Sequence, residues 1–149
     1  MKKLLFTTIW ISLVLLASAH VPGAEVPNAR AVRNFSRVYR DASNAEWRSL
    51  ENGGYVCRFV QNGVTKRAFY DDRGRWIITI ASYTPDFLPA TVWRQIHSVY
   101  YDYSILYVNE ISVSGRPLAY LVQVQDKRSI KIVRVVDDEM EEVKEIETL

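Results

Sequence analysis

Two runs of alternating side chains face each other across four residues. Tyr55-Val56-Cys57-Arg58-Phe59-Val60 and Thr65-Lys66-Arg67-Ala68-Phe69-Tyr70 flank Gln61-Asn62-Gly63-Val64. Asn-Gly between such runs is the strongest short hairpin signal, because the favoured two-residue turn needs positive φ at both positions. Tyr55, Cys57 and Phe59 share one side of the first run, and Val56, Arg58 and Val60 share the other. Before the hairpin, "AEWRSL" ends at the turn residues Asn52-Gly53-Gly54. After it comes "WIITIASY", rich in β-branched and aromatic residues. Residues 45–83 therefore read as a meander of four antiparallel strands.

A helix is predicted on each side of the "TPDFLP" breaker. From Ala29 to Ala42, Val32, Phe35, Val38 and Tyr39 recur at steps of three and four, with Arg30, Arg33, Arg37 and Arg40 opposite. Asn28 is placed to cap that helix. Pro89 is suited to open the second helix, whose apolar stripe is Leu88, Val92, Ile96, Val99 and Tyr100. Four more strand patterns follow: "YSILYVNEISV", "PLAYLVQVQ", "SIKIVRVV" and "MEEVKEIET". The order helix, four strands, helix, four strands looks like an internal repeat. Phe35, Val38, Tyr39 and Asp41 align with Ile96, Val99, Tyr100 and Asp102, and Tyr55–Phe59 aligns with Tyr120–Val124. The expected fold is α+β: one domain over 29–149, made of repeats 29–84 and 85–149, with both helices on one face of an antiparallel sheet.

The first residues, MKKLLFTTIWISLVLLASAH, pair Lys2 and Lys3 with an apolar run and then Ala17-Ser18-Ala19. This is the pattern of a secretory signal peptide over 1–19. The apolar run is shorter than the ~20 residues of a bilayer span, so no stable membrane insertion is expected after cleavage. Residues 20–28 read as a flexible lead-in. The expected location is periplasmic or secreted.

Cleavage would remove two of the 19 basic residues and none of the 17 acidic ones, leaving 17 of each. A neutral chain gives no bulk electrostatic support for a nucleic-acid partner. The single cysteine, Cys57, allows no internal disulfide, so stability must come from a packed core.

Between two strand patterns, "YDDRGRW" places Asp71-Asp72-Arg73-Gly74. A calcium loop needs six to eight oxygens, in the best-known case over twelve residues with a closing Glu, and nothing near Asp71 supplies them. A turn ending in a left-handed glycine, with Asp bonding to nearby backbone N–H groups, fits better. The equivalent Asp137-Asp138-Glu139-Met140 has no glycine, so a turn of another type or a looser one is expected there.

Chemistry-bearing motifs are sparse. Cys57 and His97 are the only candidates for a thiol nucleophile and its base, and Cys57 falls on the side expected to face the core, where cysteine is an inert small hydrophobe. Two such residues lack the four ligands of a usual zinc site. There is no Gly-rich phosphate loop, no G-x-S-x-G and no H-E-x-x-H. No catalytic, metal or cofactor-binding residue is assigned, and no cofactor is expected.

"FSRVYRDASNAEW", "YVCRFVQNG", "AFYDDRGRWIIT" and "FLPATVWRQI" resemble the PepSY-like, or beta-lactamase-inhibitor-like, family of exported bacterial proteins. The residues that carry the resemblance are Phe35, Trp47, Phe69, Asp71, Gly74, Trp76, Leu88 and Pro89. It covers roughly 32–138 and implies tandem α/β repeats, helices on an antiparallel sheet, and a non-enzymatic exported protein. The family's inhibitor member carries disulfides, which this chain cannot form internally, and no inhibitory contact residue is placed by motif.

The expected function is a small exported binding module for a protein or peptide of the cell envelope. If Tyr55, Cys57 and Phe59 face inward, Arg58 faces outward, and Gln123 takes the equivalent place in the second half. Arg58 and Gln123 are thus the candidate binding residues. One alternative is an enzyme using buried carboxylates of raised pKa. Another is an envelope protein that self-associates through edge strands, with Lys131 and Arg134 as the charges that guard an edge.

Overall fold

The computed structural model describes residues 27–51 and 53–147. The expected signal peptide over 1–19, and residues 20–26 of the lead-in, lie outside the described residues. Two helices, α1 (Ala29–Val38) and α2 (Ala90–Val99), accompany eight strands. These are β1 (Ser43–Ser49), β2 (Tyr55–Gln61), β3 (Val64–Tyr70), β4 (Trp76–Tyr83), β5 (Ser104–Val113), β6 (Ala119–Gln125), β7 (Ser129–Val136) and β8 (Glu139–Glu147). They form one sheet in sequence order, every neighbouring pair antiparallel. No described helix is long and apolar enough to cross a membrane.

The first hairpin forms as its sequence requires. Asn62 and Gly63 take φ of 53° and 77°, and the two-residue loop puts Gln61 opposite Val64, hence Arg58 opposite Arg67.

Both helices lie on one face. In α1, Ala31 and Phe35 are buried against Cys57, Phe59, Ala68 and Tyr70. The Phe35 ring meets Phe59 edge-on at 4.9 Å. In α2, Val92 and Ile96 pack with Leu88 over Val108, Val122, Val124, Val133 and Val135. Pairing carries the two groups onto a common side: Cys57 faces Ala68, Ala68 faces Thr79, and Tyr83, four residues on, faces Val108. Matching register recurs in the two halves, with Phe59 opposite Lys66 and Val124 opposite Lys131.

Several expectations about faces and ends need correction. Val32 and Val38 are exposed, as is Val99 in the second helix. The helix instead presents Ala31, Phe35 and the following Tyr39, a cleaner i, i+4 line. It ends at Val38, where Tyr39 closes it through a backbone bond to the Phe35 carbonyl. The Asp137-Asp138 turn is of another type than its counterpart, one of the two expected alternatives, but it is tighter rather than looser: β7 ends at Val136 and β8 begins at Glu139, with Asp137 at φ 50°. Lys131 and Arg134 do not guard an edge. They lie on β7, inside the free strand β8, and are taken up by its carboxylates: Lys131 by Glu142 and Glu145, both at 2.9 Å, and Arg134 by Glu141 at 2.7 Å.

Candidate binding face

Arg58 and Gln123 both fall on the sheet face turned away from the helices. Pairing carries Arg58 to Arg67 and then to Ile80, Ile111, Ala119 and Val136 in one continuous row. Gln123, four residues beyond Ala119 on the same strand, lies between Tyr107 and Ile132. They are therefore on one face but in different rows, Arg58 towards one edge and Gln123 in the second half.

The face is apolar along its middle. Val56, Phe69, Ile78 and Val113 form a row parallel to the Arg58 row, and Leu121 follows in the next one beside Asn109. All of these are half-buried rather than sealed. Side chains along adjacent strands shield each other, and no helix covers them from above. Ser82 and Asn109 bridge the third row by a 2.8 Å side-chain bond.

Charge is uneven across this face. Arg58 and Arg67 stand directly opposite on β2 and β3, with Arg48 beside Val56 in the adjoining row. Arg58 reaches Glu46 only at 3.9 Å, with both side chains about 60 % exposed (63 % and 59 %), so solvent screens that pair. Among the described residues, no carboxylate comes within ion-pair distance of Arg48 or Arg67. Towards the far side, Arg134 on β7 is paired with Glu141 of the edge strand β8.

The Asp71–Arg75 loop is a turn, and it also ties the helix down. Asp71 Oδ1 accepts from the backbone N–H of Arg73 (3.0 Å) and Arg75 (2.7 Å), and its Oδ2 accepts from Arg75 Nε at 2.6 Å. The Arg75 backbone bond foremost, then the Arg75 side chain and charge, hold the Asp71 carboxyl below the usual carboxylate range. Asn28 caps α1 by accepting from Ala31 N–H at 2.9 Å, and its amide donates to the Asp72 carbonyl at 3.0 Å.

Elsewhere the chemistry is that of a core. Cys57 is fully buried, and burial pushes its thiol up to about 12. His97 lies against Trp93 on α2, with ring centres 4.0 Å apart. The two belong to different halves and make no pair. Under α1, Thr79 Oγ1 accepts from Trp76 Nε1 at 2.9 Å and shares a bond with the Tyr39 hydroxyl. The carboxyls that shift, Asp71, Asp126 and Glu145, all shift downward through hydrogen bonds. Among the described residues, no three His, Cys, Asp or Glu side chains come together to hold a metal.

A depression of about 580 Å³ beside Asp102, Leu106 and Lys127 is a wide surface hollow at one end of the sheet. A more apolar one of about 280 Å³ lies between Phe69, Ile77, Ile78 and Asp72, at the margin of the open face.

Sequence reasoning passed over Arg67 and the apolar rows. The signal was present: a two-residue turn at Asn62-Gly63 fixes the register, and register alone sets Arg67 against Arg58.

No protein-family model and no curated protein sequence matches the chain. Solved structures do match. A DUF2874 family protein from Bacteroides ovatus is 20% identical, covers 83% of this chain and 89% of its own, and superposes with a TM-score of 0.66. A candidate periplasmic protein from Bacteroides eggerthii is 17% identical, with 83% and 90% covered and a TM-score of 0.64. A BLIP-like protein from Bacteroides fragilis is 16% identical, with 84% and 89% covered and a TM-score of 0.65. At these identities the likeness is one of architecture, and it spans nearly the whole of each partner. The chain has the beta-lactamase-inhibitor-like fold: two helices on one face of an eight-stranded antiparallel meander.

Proposed function

We propose that the chain is an exported, non-enzymatic binding module of PepSY-like type, built from two helix-plus-four-strand repeats over 29–84 and 85–149. Its ligand is a protein or peptide of the cell envelope, received on the open sheet face. The observation that carries this reading is the pair of apolar cross-strand rows through Phe69, Ile78, Ile80 and Ile111, which neither helix covers. Apolar surface flanked by arginine is the composition that interface anchors favour. Arg58 and Gln123 contact the ligand from two sides of that apolar middle. The signal-like N-terminus places the protein in the periplasm or outside the cell, in keeping with the candidate periplasmic protein and the BLIP-like protein that share its fold.

The test is capture from an envelope extract of the source organism by the immobilised chain. Leu121→Asp and Arg58→Glu alter the open face, and Arg33→Glu alters the outer side of α1. A saturable protein retained by wild type and Arg33→Glu, but lost by Leu121→Asp, supports the reading. Equal retention by all three variants, each verified as folded by circular dichroism, removes this face from consideration.

A further inference from the structure

We infer that Arg58 and Arg67 act as one clamp for a carboxylate of the partner, presented beside an apolar side chain that lies over Ile80 and Ile111. The inference rests on the open-face reading above and gives the partner's chemistry. Directly opposed residues of an antiparallel pair have Cβ atoms about 5 Å apart, and like charges so placed destabilise the sheet. Arg58 and Arg67 are so placed and both exposed. Glu46, directly opposite Arg58 on β1, meets it only at 3.9 Å in a solvent-screened pair, and Arg67 has no acidic partner among the described residues. A carboxylate between the two guanidinium groups relieves the repulsion and fits their planar donor forks. The same arrangement is not repeated in the second half, where the residue opposite Gln123 is Ile132.

The row in which the clamp sits specifies more than an anion. It runs on through Ile80 and Ile111. Strands lie about 4.8 Å apart, so a carboxylate held midway between Arg58 and Arg67 is about 7 Å from Ile80 and about 12 Å from Ile111, roughly the spans of two and four extended residues, whose side chains share one side. An extended segment that carries an acid, with apolar side chains two and four residues from it, meets the clamp and both isoleucines on one side. A polyanion would need a longer basic track. The arginine stripe of α1 (Arg30, Arg33, Arg37, Arg40) cannot extend this one, because α1 packs on the opposite face. An acidic and apolar protein segment is therefore favoured over a nucleic acid or polyphosphate.

The experiment is an NMR titration of the isotope-labelled full chain, in the form the cell exports. The probe is a blocked peptide repeating Glu-Ser-Leu-Ser, which when extended puts glutamate and leucine on one side. Its controls are the same peptide with glutamine for glutamate, inorganic phosphate, and a short oligothymidylate. Amide shifts are expected at Arg58, Arg67, Ile80 and Ile111. The glutamine peptide, or Arg58→Gln or Arg67→Gln in the protein, should weaken binding about tenfold each, and the two protein changes should be less than additive for the glutamine peptide. Equal binding of the two peptides overturns the clamp, as does the absence of glutamate-dependent shifts at Arg58 and Arg67 at 10 mM peptide (roughly the weak end of specific recognition). Shifts at Ile111 and Leu121 that ignore the glutamate leave the open-face reading standing without the clamp. Shifts confined to α1 overturn both. Oligothymidylate or phosphate producing the same shifts as the glutamate peptide overturns the assignment to a carboxylate.

Discussion

Gly74 lies directly against Asn28, so closely that a Cβ on residue 74 would meet the Asn28 side chain and come within 2.7 Å of the Ala31 nitrogen. With φ at +71°, position 74 also holds a backbone form that L side chains resist. The helix cap and the β3–β4 turn are one joint. Gly74→Ala is expected to lower stability by at least about 2 kcal/mol. Gly115→Ala, at the same φ but with nothing within 4 Å, should lose about 1 kcal/mol. Equal losses in urea unfolding would show that the contact with Asn28 contributes nothing.

Asn28→Ala removes both the cap and the bond to the Asp72 carbonyl. A loss of about 1–2 kcal/mol is expected. Asn28→Asp retains the acceptor but loses the amide donor, so it should fall between wild type and alanine. Thermal unfolding of the three proteins checks the order.

Asp71 gives a pH signature. Its folded-state pKa is depressed, so its contribution is complete above the unfolded value near pH 4 and is lost as pH falls further. Asp71→Asn removes this linkage. The stability gap between wild type and Asp71→Asn should therefore narrow as pH falls below about 4. A gap that stays constant as the solution is acidified would mean that the charge on Asp71 is irrelevant to the turn.

Arg67→Gln should stabilise the free protein, by about 0.2–1 kcal/mol, by ending the repulsion with Arg58. The gain should shrink in high salt, where the repulsion is screened. A destabilised, salt-independent Arg67→Gln would show that the Arg67 stem packs on the sheet and that its charge is incidental.

Cys57 should be silent in the folded protein. With its thiol pushed up to about 12 and its side chain buried, labelling at pH 8 should be at least about a thousandfold slower than that of a free thiol. Denaturant should restore the ordinary rate. Rapid labelling of the native protein would mean that α1 lifts readily from the sheet.

How much of this was legible in the sequence varies by element. The β2–β3 hairpin was, because Asn62-Gly63 admits one turn geometry and the alternation on either side admits one orientation. That Arg58 faces away from the helices followed from the same pattern, and its pairing with Arg67 needed only the register. Helix faces were less legible: Val32, Val38 and Val99 are apolar and correctly spaced, but near a helix end the docked face is chosen by the neighbouring sheet. Ala31 is fully buried among Phe35, Cys57 and Tyr70, a packing fact that periodicity does not contain. The joint between Asn28 and the Asp72 carbonyl links residues 44 apart, and no local pattern encodes it. Lys131 and Arg134 were misread because the sequence shows that another strand follows them but not that it pairs outside theirs.

The order of the strands has a consequence for how the chain acquires its shape. Six of the seven strand pairings join partners separated by a short turn, and only β4 with β5 spans a helix. Most of the sheet can therefore close with little loop entropy, unlike sandwiches and barrels whose partners are distant along the chain. Beyond the β4–β5 pairing, the side-chain bonds that reach furthest along the chain clasp the helix ends, such as Tyr39 to Thr79 and Tyr100 to Glu142. A chain delivered across a membrane end-first can zip its hairpins as they emerge, and its helices can then lock down over a sheet that is already formed.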